Sequence, residues 1–440
     1  MAVKTYDFTK EYSFHGEFWH DYNDNKGRFP AKIEYSPYNG LILDYCISDS
    51  DSPMSCERLY GVLNTGEPCT LIGPFDFHHS SMHLGKLRVL TGRHHFQILI
   101  FNGFHEKNEK IEHCDLALYG MQEFIHPQGF ITQLKHSEKP LMTAQGADWK
   151  IDVINTATFN MIGDGLINIV NCQNDDALVK FKKDFSLTKE LFPNAFFLLR
   201  NKLKFYFRYT NTVKKDVSEH IYELCKISGL FSILLDKPVI PEELHIKFSG
   251  SSEKKPCLFS NSTEQRTIDL ALSDINHHLL PLNWNQVDLH LILCNWLTIG
   301  DDYDSLSVTY QNETGYRTLH QAHADIILYA TQLEAINLSL SGKTSEKYTG
   351  PIDKYASTSL KDKLEKAFSN FNSDPLGKNI SALRNELAHV GRPKIMMKKM
   401  KIDDYIKIGL YLKVIVTSQL LSRLGLSKEQ IERYQNKVAL

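Results

Sequence analysis

The chain is 440 residues long, enough for two or three domains, with 42% hydrophobic and 23% charged residues, the ordinary balance of a globular protein. A formal net charge of −2 supplies no general basic field, so a nucleic-acid site has to be a local patch. The start at Met1 has no apolar signal core, no run of 18 apolar residues occurs, and the eight Cys stand apart without a Cys-x-x-Cys pair; together these predict reduced thiols, a cytoplasmic location and no transmembrane helix.

Residues 1–130 read as a β-rich N-terminal domain. Short alternating runs are separated by the turn signals Asn39-Gly40, Asn64-Thr65-Gly66, Gly73-Pro74, Thr91-Gly92 and Asn102-Gly103. Leu41 to Tyr45, Cys69 to Ile72 and Phe96 to Phe101 are strand candidates, and Trp19 with its neighbouring aromatics is assigned to a sandwich or barrel core. Residues 131–283 form a second β-rich or mixed region, possible to read as continuous with the first. Within it Leu203, Phe205, Phe207 and Tyr209 alternate with Lys202, Lys204, Tyr206 and Arg208. The basic side of that strand is either the wet face of an antiparallel sheet or a platform for RNA backbone and base. Val217 to Leu235 reads as a helix, and Ser249 to Pro256 and Ser260 to Thr267 read as loops.

From Trp284 onward the pattern is helical, giving a third region, 284–440: a segment through Leu297, then Thr318 to Leu340, Leu360 to Phe371, a helix around residue 385, and Asp403 to Leu424. The fold class is therefore α+β, a β-rich N-terminal part followed by an all-α bundle. His320, His323 and Asp325 do not share one helical face, so no metal site is assigned and no cofactor is expected. No P-loop, Gly-x-Gly-x-x-Gly or internal repeat is present.

The stretch Ile380 to Gly391 carries the chemistry. Ile380, Leu383, Leu387 and Val390 fall at spacings of three, four and three, which predicts one apolar stripe. Gly391 and Pro393 then end the helix. Arg384, Asn385 and His389 face away from the stripe, with Arg384 and His389 roughly 140° apart. An imidazole can move the proton of a ribose 2′-OH, a guanidinium can stabilise a phosphate as charge develops on it, and an Asn can orient either group. Two further Arg–His pairs exist, Arg88 with His94 or His95 and Arg317 with His323, but only this one lies on an amphipathic helix with Asn next to Arg. Downstream, Arg392, Lys394, Lys398, Lys399 and Lys401 make a basic run free of acids, an RNA funnel or a solvated loop.

Leu383-Arg384-Asn385-Glu386-Leu387-Ala388-His389 resembles the signature of the HEPN ribonucleases, all-helical enzymes with an Arg-x4-6-His motif. Phe14-His15-Gly16-Glu17-Phe18-Trp19, Tyr35-Ser36-Pro37-Tyr38-Asn39-Gly40 and the turn from Leu63 to Leu71 resemble the N-terminal domain of the ApeA anti-phage proteins. The resemblance spans residues 12–75 and 325–395. It implies a metal-independent endoribonuclease whose site forms where two subunits meet, a homodimer through the helical domain. It implies His389 as general acid/base, Arg384 on the scissile phosphate, Asn385 in support, and Glu334 on the long helix orienting the motif Arg or His. The products would carry a 2′,3′-cyclic phosphate and a 5′-OH. The N-terminal region would sense a phage-derived trigger, and the RNA cut would be host RNA such as tRNA. The competing expectations are a non-catalytic RNA- or partner-binding module of HEPN type, and a β-sandwich ligand receptor whose helices only dimerise.

Overall fold

A computed structural model describes residues 4–23, 27–48, 55–77, 81–84, 87–125, 136–137, 139–161, 165–195, 197–274 and 278–439. Among them, the first strands are Tyr12–Trp19 (β1), Phe29–Ser36 (β2), Gly40–Ser48 (β3), Ser55–Leu63 (β4), Pro68–Asp76 (β5), Ser81–Leu84 (β6) and Leu87–Phe96 (β7). They continue with Ile98–Phe101 (β8), Ile111–Leu118 (β9), Met142–Gln145 (β10), Trp149–Met161 (β11), Leu198–Asn211 (β12), Pro241–Phe248 (β13) and Lys255–Phe259 (β14). All are joined in one antiparallel sheet, in the order β10-β11-β12-β9-β13-β14-β8-β5-β4-β1-β2-β3-β7-β6.

The alternation in the sequence explains how that sheet curls. Phe29, Ala31, Ile33 and Tyr35 on β2 and Leu41, Leu43, Tyr45 and Ile47 on β3 are buried at every second position, so one face of each strand must be covered. β7 and β8 are two halves of one bent strand, separated only by Gln97. The first half pairs with β3 and the second with β5. The ring β1-β2-β3-β7/β8-β5-β4 therefore returns to β1 as a barrel packed with aromatics. Gly61 is part of that packing: a Cβ there would stand 2.3 Å from the Phe18 ring. From β8 the sheet runs on through β14, β13 and β9 to the long paired strands β12 and β11.

The helices are Met121–Ile125 (α1), Leu166–Ile169 (α2), Asp175–Leu191 (α3), Val217–Leu235 (α4), Gln265–Leu272 (α5), Leu289–Ile299 (α6), Asp304–Gln311 (α7), Leu319–Ser339 (α8), Thr349–Tyr355 (α9), Thr358–Ser369 (α10), Leu376–Ala388 (α11), Ile402–Arg423 (α12) and Lys428–Val438 (α13). α4 has the bounds its apolar pattern predicts. Asp216 and Glu219 form a capping box at its start, and Asp236, in the left-handed region at φ 50°, ends it. α8 opens on the capping box Thr318/Gln321.

α4 lies between sheet and bundle. Its backbone carbonyls accept the Trp296 indole N–H from α6 at 2.8 Å and the Tyr434 hydroxyl from α13 at 2.9 Å. One continuous apolar cluster extends from Tyr6 through the barrel, α4 and the helices to Ala439. α12 forms the centre of the helical part, with Ile408, Leu412, Ile415 and Leu420 fully or nearly fully buried. Of the helices of eight residues or more, α3, α5, α7 and α13 have no counterpart among those expected from sequence, and α5 begins inside the stretch Ser260 to Thr267 read as a loop. Four of the large apolar residues of α3, Val179, Phe181, Leu187 and Leu191, lie exposed and only Phe185 is buried, so its periodicity does not trace one clean stripe.

Candidate active site at the end of helix α11

α11 packs against α8, burying Ile380 and Leu383. The helix ends at Ala388, two residues before its apolar pattern suggests. His389 is the C-cap residue with extended backbone, φ −121° and ψ 119°, and Val390 is 100% exposed. Val390 is therefore not part of the apolar stripe. The reason is the returning chain. The Lys394 ammonium donates to the backbone carbonyls of Glu386 and, at 2.9 Å, His389. Its charge and its protons satisfy helix-terminal carbonyls that a further turn would have had to bond. Glu386, 6% exposed, latches the same loop: its carboxylate accepts the backbone N–H of Met396 and of Met397, both at 3.1 Å. Sequence inspection passed over Glu386, although a Glu inside an apolar stripe is itself a sign of a buried carboxylate with partners.

With His389 off the helix, the roughly 140° separation from Arg384 that an unbroken helix would impose no longer applies. His389 leaves the end of α11 as an exposed side chain on extended backbone. Arg384 lies half-buried. Its Nη1 donates to Asn385 Oδ1 at 3.3 Å, and its Nε is buried without a hydrogen-bond partner. Among the described residues it makes no ion pair. Glu334, on the flank of α8 that meets α11, accepts hydrogen bonds from Lys347 Nζ at 2.8 Å and from the Tyr348 hydroxyl. Burial pushes the Glu334 carboxyl up, but these two bonds and the positive charges of Lys347 and Arg384 outweigh it and hold the group below the usual carboxylate range. Glu334 and Arg384 thus share one electrostatic neighbourhood while Arg384 keeps its donors free.

The other candidates separate clearly. Arg317 is consumed: its guanidinium donates to Glu313 at 2.6 and 2.5 Å and to Asp325 at 2.9 Å. The His323 ring stands edge-on to Tyr405 with centroids 4.5 Å apart, its Nε2 buried without a partner, and burial depresses its pKa. The side chain of Arg88 lies outside the described residues. Lys394 is committed to the helix end, and Lys399 reaches the carbonyl of Phe371 at 3.4 Å. Arg392, Lys398 and Lys401 are exposed. On the basic strand face Lys204 contacts Glu242 and Glu243 at 2.6 Å, and Arg208 holds Asp115 through two bonds of 2.8 and 3.0 Å; the side chain of Lys202 lies outside the described residues. Among the described residues no cluster of three His, Cys, Asp or Glu side chains suits a metal ion, and no helix is long and apolar enough to cross a membrane.

Against this geometry, the family model for ApeA N-terminal domain 1 matches residues 13–296, and that for Apea-like HEPN matches residues 310–430. No curated protein and no solved structure matches the chain.

Proposed function

The chain belongs to the ApeA family, an ApeA N-terminal domain 1 joined to an Apea-like HEPN domain, and from that premise we propose that it is a metal-independent endoribonuclease that cuts host RNA in anti-phage defence. Apea-like HEPN domains mark a family of defence ribonucleases. The observation that carries the reading for this chain is the guanidinium of Arg384, which makes no ion pair among the described residues and whose Nε is buried without a partner there, on the helix whose C-cap is the exposed His389. A cation held by the fold but not neutralised by it is suited to an anionic ligand.

In this reading His389 takes the proton from a ribose 2′-OH. The 2′-oxygen attacks the adjacent phosphorus, the bond to the 5′-oxygen breaks, and that oxygen leaves with the proton that the His389 imidazolium gives up, which returns the imidazole to its neutral form. The products are a 2′,3′-cyclic phosphate and a 5′-OH. Arg384 stabilises the charge that builds on the phosphoryl oxygens. Asn385 steadies the guanidinium through its Oδ1, and Glu334 shapes the field around it. Arg392, Lys398, Lys399 and Lys401 attract the RNA backbone at the rim, whereas Lys394 acts by holding the loop that carries them.

The active form is a homodimer. Ala324, Leu328, Thr331, Ala335 and Leu338 recur at spacings of four, three, four and three along α8, and all are exposed. This is a coiled-coil-like ridge without a partner, flanked by Glu334. A second copy packed there sets two Arg–His sites on the rim of one interface. The β-rich N-terminal part senses a phage-derived trigger. The test is cleavage of end-labelled total RNA in EDTA. His389→Ala and Arg384→Ala are each expected to lower the rate by about 10²–10⁴ at unchanged melting temperature. Cleavage at wild-type rate by the His389→Ala protein would sink the assignment. Binding of RNA without cleavage by the wild type would leave only the binding-module alternative.

A further inference from the structure

On the flank of α8 opposite Glu334, a cavity of about 220 Å³ opens between α7, α8 and α12. Its floor is apolar, made by Leu306, Ile336 and Val416, all 8% exposed or less. A 150 Å³ apolar cavity accommodates one benzene ring, so this space suits a fused two-ring heterocycle and falls short of a drug-sized pocket. The walls are polar and partly fixed. The Tyr303 hydroxyl donates to Gln419 Oε1 at 2.8 Å and accepts from Arg423 Nη1 at 3.0 Å. Two groups remain unused. Gln332 is held only by a 3.4 Å contact from its Nε2 to Ser305 Oγ, and its Oε1 is buried with no partner. Whichever way the amide is turned, one of its ends lacks a bond it could make, at a cost of roughly 1–3 kcal/mol when buried. Arg423 has one neighbouring carboxylate, Asp302, at 3.9 Å, and that side chain is 69% exposed, so most guanidinium donors are free.

We infer that this cavity is a binding site for an adenine nucleotide: the base enters the apolar slot, its N6 and N7 edge pairs with the Gln332 amide, and the phosphate meets Arg423. A glutamine amide matches that edge of adenine with one donor and one acceptor, and a guanidinium matches phosphate through paired N–H groups. The same chemistry is offered by a free adenine nucleotide and by an unpaired adenosine of bound RNA. The site stands apart from the catalytic residues, since neither Arg384 nor His389 lines it, although Ala335 on its wall also belongs to the ridge of α8 proposed to meet a second copy.

The experiment is calorimetric titration of the full chain with AMP and with adenosine, for the wild type and two variants. Wild type is expected to bind AMP with Kd below about 1 mM. Gln332→Leu should weaken AMP and adenosine alike by at least about tenfold, the equivalent of about 1.4 kcal/mol. Arg423→Met should weaken AMP and leave adenosine unchanged, a split that general destabilisation cannot produce. Competition then separates the sources: an adenine-containing RNA that displaces AMP places an RNA base in the slot, and one that does not assigns it to the free nucleotide. No AMP binding by wild type at 1 mM, or equal binding by all three proteins, overturns the inference.

Discussion

At the scale of single residues, two arginines in the helical half show how neighbours decide use. Arg317 and Arg384 each precede a histidine by five or six positions. Arg317 is locked between Glu313 and Asp325, which binds its charge into the fold. Arg384 has only a 3.3 Å bond to its neighbouring amide. Arg317→Ala is therefore expected to lower stability by roughly 2 kcal/mol, leaving two half-buried carboxylates without their partner, and to lower cleavage only in proportion to the folded fraction. Arg384→Ala should do the reverse. Chemical denaturation beside a single-turnover cleavage assay distinguishes them; the opposite pattern would make the Arg317–His323 pair the site.

Asp236 supports a second prediction at this scale. Burial pushes its carboxyl up to about 6, against the lowering influence of Lys413, whose Nζ lies 3.8 Å from Asp236 and 3.9 Å from Glu313. The folded state thus binds this proton more tightly than the unfolded chain, whose Asp titrates near 4. The group favours the fold at low pH, and that contribution declines as pH rises from about 4 to about 6. Asp236→Asn does not ionise, so its stability relative to wild type should rise across that window and level off above it. Melting temperatures of both proteins at pH 4.5 and 7 test this; an identical gap at the two pH values would contradict the raised pKa.

At the scale of elements, the end of α11 is set by its return loop. Glu386 and Lys394 are the two halves of a clasp, one collecting backbone N–H groups and the other backbone carbonyls. Glu386→Ala leaves the Met396 and Met397 amides unsatisfied, at about 1–3 kcal/mol. Those amides should lose hydrogen-exchange protection while the core of α12 keeps its own. Because the loop positions His389, cleavage should fall as well, though less than in His389→Ala. Unchanged protection at Met396 would show that something else closes the loop. The exposed ridge of α8 is the other element-scale feature. Leu328→Glu with Leu338→Glu places like charges on a face proposed to meet its own copy, so sedimentation should move from dimer to monomer and cleavage should collapse with it. A fully active monomer would remove the shared site and leave the chemistry intact.

At the scale of the whole molecule, α4 and the polar groups around Asp236 form the joint between the sheet and the bundle. Lys413 from α12 sits 3.6 Å from the centre of the Tyr310 ring on α7, and the Tyr310 hydroxyl continues to Thr417 and Tyr434 at 2.8 and 3.2 Å. These contacts tie the end of α4 at Asp236 to α12 through Lys413 and, through Glu313, Arg317 and Asp325, to α8.

The sequence by itself determined the elements whose burial follows one period. The strands around Leu41 to Tyr45 and Leu203 to Tyr209, the helix α4, the long helix α8, and the α+β order follow from period-two and period-3.6 apolar patterns, because local spacing dictates which face can be covered. It also determined the Arg–Asn–His motif, since that recognition depends on residue types at short range. Tertiary structure alone decided the rest. Barrel closure depends on β7 and β8 being one bent strand with partners far apart in sequence. The place where α11 stops depends on Lys394 and Glu386 satisfying groups across a loop, which an apolar pattern ending at Val390 cannot register. The difference between Arg384 and Arg317 depends on Glu313 and Asp325 converging on one guanidinium and, among the described residues, no carboxylate within bonding reach of the other. Spacing along a chain specifies which residues can face the same way; only the fold determines which charges are neutralised and which are left free.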